Sequence, residues 1–167
     1  MRIGTRLAAV ALGGIAACGL ALAQTTEPPE EVRAVHGRSS ALQAEKELFA
    51  EINRARREQG LSPLRWNDSL AVAARRHAAV MAEHGEAQHG FQGEPGLSAR
   101  VKLTGAHFSW LSENVTQGPG VRFVHGQFMS SAKHRANILD TDMNSVGVGV
   151  VVVGETLFAV EDFAELH

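Results

Sequence analysis

Residues 146–153 read Val-Gly-Val-Gly-Val-Val-Val-Val, and no other stretch limits the fold so sharply. A run of β-branched valines with nothing polar in it favours a strand. Gly154-Glu155 follows at once and fits a two-residue hairpin turn with Gly in first place. Thr156 to Phe163 then supplies the returning strand. The C-terminal part of the chain is therefore an antiparallel hairpin, and what precedes it must cover that hairpin.

The upstream segments carry helical spacing instead. Ser40 and Gln43 form a capping-box pattern, and Leu48, Ile52 and Ala55 repeat at helical intervals before Gly60, so a helix is expected over about 41–59. Asn67 or Asp68 can cap a second helix, whose apolar stripe is Leu70, Ala73, Ala74, His77, Val80 and Met81, ending at Gly85. Residues 90–96 hold three Gly and a Pro and read as a loop. A short helix follows over 97–103, and residues 106–120 are mixed enough to be read as irregular. Val121, Val124 and Phe128 suggest another helix. Ser130 or Ser131 then interrupts it and caps a short helical turn carrying His134 to Leu139. Helices first and an antiparallel sheet later give the α+β class.

The 167 residues allow one domain plus an appendage. Arg2 and Arg6, an apolar run over Leu7–Ala17 and the small-residue pattern Ala21-Leu22-Ala23 have the layout of a secretory signal peptide over 1–23. Residues 24–40, with Pro28-Pro29 and little to bury, read as a flexible tether, leaving 41–167 as the domain. Localisation is then secreted or periplasmic. The alternative is a lipoprotein anchored through Cys18, because Ile15-Ala16-Ala17-Cys18 resembles a lipobox. Apart from the leader, no apolar run is long enough to span a bilayer.

Cys18 is the only cysteine, so a disulfide framework and a cysteine zinc site are excluded within one chain. Removing the leader takes Arg2 and Arg6 from the 16 basic residues, leaving 14 against 18 acidic ones. With no basic block beyond Arg56-Arg57 and Arg75-Arg76, which read as solvated helix faces, a nucleic-acid partner is not expected.

Several segments together resemble the CAP superfamily (SCP-like proteins, named for cysteine-rich secretory, antigen-five and pathogenesis-related members), in its short, disulfide-free bacterial form. The carriers are Leu48–Arg56, Gly60–Trp66, Leu70–Ala74 with His77 and Met81-Ala82, Gln88-His89, Ser112-Glu113-Asn114-Val115, Phe128–Leu139 and Val146–Gly149. The resemblance implies a three-layer α/β/α sandwich with a central antiparallel sheet. It also implies a cleft in which two His and two Glu converge. His89, Glu113 and His134 occupy three of those positions. Ser131 stands at the fourth, Phe128 replaces a Trp and Ser112 replaces a Gly. Asn114, Arg135 and Asn137 lie beside them as supporting residues.

Two imidazoles and a carboxylate suit a divalent cation such as Zn²⁺, here a weak site because Ser131 adds no second carboxylate. The same groups can polarise a water, with Glu113 as candidate catalytic base. A Glu accepting hydrogen bonds from two His, with no metal, satisfies them equally well. If Ser131 caps a helix, the positive helix end favours neutral His134. His77 reads as a core histidine with one bonded nitrogen, and His84, His107 and His125 as surface or cleft-edge residues. Neither Ser112 nor Ser131 lies in a nucleophile elbow.

The first functional reading is an exported module that binds an extracytoplasmic ligand, of protein, cell-wall or lipid nature. The alternatives are a metal-assisted hydrolase of peptide or cell-wall material using His89, Glu113 and His134, and a lipid- or sterol-binding protein.

Overall fold

The computed structural model describes residues 30–167, so the export signal, Cys18 and residues 24–29 of the tether lie outside the described residues. The elements in chain order are α1 (Glu30–Glu58), β1 (Arg65–Trp66), α2 (Asp68–His84), α3 (Leu97–Lys102), β2 (Phe108–Gly118), α4 (Val121–Ser130), α5 (Ala132–Ile138), β3 (Ser145–Val153) and β4 (Thr156–Leu166).

The hairpin forms as its sequence dictates. Val153 pairs with Thr156 across Gly154-Glu155, and Gly154 takes φ +58° while no non-glycine residue among those described has positive φ. That is the turn with its left-handed position first. β4 lies between β3 and β2 in a sheet ordered β1-β3-β4-β2, antiparallel except for the two-residue β1–β3 pairing.

Helices cover both faces. Leu48 and Ile52 of α1, Val124 and Phe128 of α4 and Ile138 of α5 pack with Val146, Val148, Val150, Ala159 and Phe163 on one side. On the other, α2 and α3 pack through Leu70, Ala74, Ala78, Met81 and Val101 against Val115, Phe158, Val160 and Ala164. Removing those apolar surfaces from water drives the assembly of the three layers. The alternating glycines of β3 set the spacing of the second layer. A Cβ on Gly147 would stand 2.1 Å from the Ala71 nitrogen, and one on Gly149 would stand 2.2 Å from the Arg75 nitrogen. The α2 backbone therefore rests directly on β3.

Helix ends follow local chemistry. Asn67 caps α2 by accepting from the Leu70 amide at 3.0 Å, and Gly85 ends it in the left-handed region at φ +70°. Ser131 closes α4 and caps α5.

Several expectations are corrected. Residues 106–120 are not irregular: eleven of them form β2, which pairs along nearly its whole length with β4. Its polar run Ser112-Glu113-Asn114 hid the strand, because Glu113 and Asn114 are held by distant partners rather than by solvent. α1 begins at Glu30, ahead of the start expected at about 41, and no proline interrupts 30–58. Ser40 consequently sits inside the helix and donates to the Gly37 carbonyl at 2.8 Å instead of capping. Arg56 is not on a solvated face. It is buried and donates to the carbonyls of Ser62, Ile138 and Asp140, each at 2.8 Å, tying α1 to the end of α5. Arg75 reaches across to buried Glu45 with two hydrogen bonds, of 2.8 and 2.6 Å.

Candidate functional site

The site is assembled around β2, the edge strand of the sheet. Successive strand residues face opposite ways. Glu113 therefore faces the α2–α3 layer, and Asn114 faces the α4–α5 layer.

On the first side, the Glu113 side chain is 3% exposed and both of its oxygens are engaged. Arg100 of α3 donates Nη2 to Oε2, and His89, from the loop after α2, donates Nδ1 to Oε1 at 2.9 Å. Arg100 also donates Nη1 to the carbonyls of His89 at 3.4 Å and Pro95 at 3.2 Å, and approaches Glu94 at 3.7 Å. Glu94 in turn holds His77, whose Nδ1 lies 2.7 Å from its Oε1, while His77 Nε2 donates to the Gln88 carbonyl at 2.8 Å. Both nitrogens of His77 are thus bonded, where one was expected. One buried guanidinium gathers the whole loop onto Glu113.

Asp162 of β4 stands opposite Glu113 in register and is fully buried. Neither of its oxygens meets a donor among the described residues. Burial, and then the neighbouring Glu113 charge, push its carboxyl well above the ordinary range.

On the second side, Asn114 is completely buried. Its Nδ2 donates to the His134 carbonyl at 3.1 Å and to Glu161 Oε2 at 3.0 Å, and its Oδ1 accepts from Asn137 at 2.8 Å. Asn137 also donates to the Glu113 carbonyl at 3.3 Å. Arg135 donates to the Met129 carbonyl at 3.4 Å. These contacts fix α5, whose cap Ser131 accepts from the His134 amide at 3.5 Å. Phe128 meets the His134 ring edge to face, with centroids 5.4 Å apart. Glu161 is wholly buried and is pushed up to about 8, burial outweighing the Asn114 hydrogen bond.

The two imidazoles differ. The Glu113 hydrogen bond raises His89, against the opposing effect of burial. Burial lowers His134, and the nearby His89 lowers it further. The helix end was expected to disfavour a charged His134; the causes that lower it here are burial and then His89.

The structure therefore brings His89 and Glu113 into contact and places His134 on the other side of the strand, near enough to feel the charge of His89. A divalent centre needs donors open to one ion. Glu113 instead turns its oxygens to Arg100 and His89, and Ser131 serves as a helix cap. Among the described residues no group of three His, Cys, Asp or Glu is placed to hold a metal ion. His125, expected at the surface or the cleft edge, is buried in α4 with Nδ1 unpartnered among the described residues. Arg100, Glu94, Asp162 and Glu161 were missed by sequence reading. The one available signal was Glu161-Asp162, two adjacent acids flanked on both sides by apolar residues.

A four-stranded sheet between helical layers, with His89 and Glu113 in contact beside its edge strand, is the arrangement the resemblance to a CAP domain implies. The profile of the cysteine-rich secretory protein family matches residues 49–163, and the chain belongs to that family. It is 29% identical over 117 residues to the uncharacterized protein YkwD of Bacillus subtilis, a match covering 70% of this chain and 46% of YkwD. Among solved structures it resembles an extracellular protein containing a SCP domain from Bacillus anthracis. There the TM-score is 0.72 at 20% identity, over 83% of this chain and 45% of that one. An outer surface protein of Borrelia burgdorferi superposes with TM-score 0.69 at 21% identity, over 75% of this chain and 94% of that one. The chain thus spans about half the length of the Bacillus relatives. Among the described residues no helix is long and apolar enough to cross a membrane.

Proposed function

We propose that this protein works outside the cytoplasm as a non-catalytic binding domain, with the His–Glu cleft acting as a clasp that holds its loops in place. One observation carries the reading: both oxygens of Glu113 are taken by Arg100 and His89 in a buried setting. A general base needs a free lone pair within reach of water, and a metal ligand needs one within reach of the ion. Arg100 and His89 occupy a lone pair on each oxygen, and burial of the side chain limits access of water or an ion to the others. The extracytoplasmic placement draws on the signal-like residues 1–23 and on relatives described as extracellular or outer-surface proteins.

Calorimetric titration with zinc, paired with a peptide- and muropeptide-hydrolysis assay, tests the reading. No zinc heat and no turnover are expected from the parent, and neither should change on His134→Ala. Zinc-dependent turnover lost on Glu113→Gln would overturn the reading in favour of a hydrolase. N-terminal mass spectrometry of the native protein tests export, with a start at Gln24 expected and an intact Met1 contradicting it.

A further inference from the structure

We infer that the open edge of β2 between Trp110 and Glu113 is a docking rail for a short extended peptide, which adds to the sheet as a fifth strand.

Hydrogen-bond parity carries the inference. In an antiparallel ladder, alternate residues turn their N–H and C=O toward the partner strand and the others turn away. Ala164 of β4 stands opposite Leu111. The Ala164 carbonyl accepts from the Asn144 amide at 3.1 Å, on the β3 side, so it does not bond Leu111. The Glu113 carbonyl, two residues on, accepts from Asn137 of α5, also outside the ladder. Both contacts place Leu111 and Glu113 in the set that faces away from β4. The Leu111 N–H, the Leu111 C=O and the Glu113 N–H therefore line the outer edge. Among the described residues none of the three has a hydrogen-bond partner beyond the strand.

Proteins commonly guard such an edge with charge, proline or a covering segment. Here the residues from Trp110 to Ser112 carry neither charge nor proline, and guarding begins only at the limits. A register shift between Phe108 and Trp110 closes one end, and Asn137 covers the other at the Glu113 carbonyl. Trp110 is 60% exposed beside this gap. Alternating donor, acceptor and donor on an edge with no pairing strand match an extended backbone, and strand addition is an established mode of peptide capture. Trp110 selects for an aromatic or aliphatic side chain at the neighbouring peptide position. A second copy of this chain fits less well. A stable dimer buries about 800 Å² per partner, while the open rail offers three backbone groups between two closed ends.

The inference rests on the binding-domain reading, and its test is separate from zinc titration. Heptapeptides are selected from a random display library on the parent, then measured by fluorescence anisotropy on parent, Leu111→Pro and Trp110→Ala. The Leu111 N–H points away from β4, so a proline there removes the docking donor without costing a ladder bond. Selected peptides should bind Leu111→Pro at least tenfold more weakly, and Trp110→Ala severalfold more weakly. Amide exchange on the parent gives an answer even if the proline variant unfolds. The Leu111 amide should exchange freely in the free protein and at least tenfold more slowly with saturating peptide, while the Ser112 amide stays protected throughout. Peptides that bind Leu111→Pro equally well would overturn the inference. So would a Leu111 amide already protected in dilute protein, or one protected only as the protein dimerises. Failure to select any peptide would overturn it too, while leaving the non-catalytic reading to the zinc and hydrolysis results.

Discussion

Glu113 and Asp162 face each other directly across β2 and β4, two buried carboxyls on one face of the sheet with the single guanidinium of Arg100 beside them. Two adjacent charges of the same sign in a dry interior repel too strongly to coexist, so the pair divides its labour. Arg100 and His89 bond Glu113, while burial raises the Asp162 carboxyl well above its ordinary range. The cleft is thus built on an acid–carboxylate pair neutralised from one side.

Arg100→Met follows from this arrangement. It strips the buried cation from Glu113, and breaking a buried ion pair from one side costs about 3–5 kcal/mol. Urea unfolding should show a loss of that size. Adding Glu113→Gln should restore at least about 1 kcal/mol, because the orphaned charge goes too. Additive losses in the double variant would mean the two side chains do not share a pair.

The pH dependence has a definite sign. Burial lifts Glu161 from an ordinary 4.5 to about 8, so the native state retains a proton that the unfolded chain releases. Its contribution to stability is complete below 4.5 and falls as pH rises toward 8, by about 1.4 kcal/mol per pH unit. Asp162, also raised by burial, acts in the same direction. His89 does as well, its contribution being lost as pH climbs through its raised value. His125 and His134 are lowered by burial and act oppositely, losing stability as pH falls below 6.5. Comparing parent with Glu161→Gln isolates the one group. The variant should gain on the parent steadily from pH 5 to pH 8 in urea midpoint, since Gln can still accept from Asn114. A constant difference across that range would rule out a proton on Glu161.

Legibility of the fold divided along a physical line. The hairpin, the Asn67 and Ser131 caps and the Gly85 stop were readable because each depends on neighbours within a few residues. β2 was not, because its partner β4 lies far along the chain and its Glu113 and Asn114 are satisfied by α3, α5 and the loop after α2. Arg56 failed for a related reason: nothing local distinguishes an arginine in solvent from one bonded to the carbonyls of Ile138 and Asp140, 82 and 84 residues away. In the site, His89, Glu113 and His134 came from the family resemblance. Arg100, which decides what Glu113 can do, had no sequence signal of its own.

Packing at β3 offers a contrast between two small changes. Gly149→Ala would drive a methyl into the backbone of α2 at Ala74 and Arg75. Overpacking of this kind costs about 1–3 kcal/mol, occasionally more. Ile52→Ala on the opposite face removes a fully buried side chain and should cost about 2–5 kcal/mol by leaving a cavity. Thermal unfolding of both, with Gly147→Ala as a repeat of the first, would show whether α2 rests on bare glycine. A neutral Gly149→Ala would contradict that contact.

Zinc gives the sharpest division between a clasp and a centre. With Glu113 committed to Arg100, His89 and His134 are the remaining donors, and two imidazoles alone hold zinc weakly. The parent should therefore show no zinc heat at micromolar protein concentrations. Ser131→Glu should not create a site, because residue 131 caps α5 and the substitution sacrifices that cap, at about 1 kcal/mol. Freeing Glu113 by Arg100→Met should be the one change that admits the ion, and only in whatever fraction remains folded. Its affinity should then fall as pH drops through the histidine range, since ligation needs neutral imidazole. Zinc bound by the parent and strengthened by Ser131→Glu would mean that the cleft is a metal centre, and the assignment of Glu113 as a clasp would fall with that result.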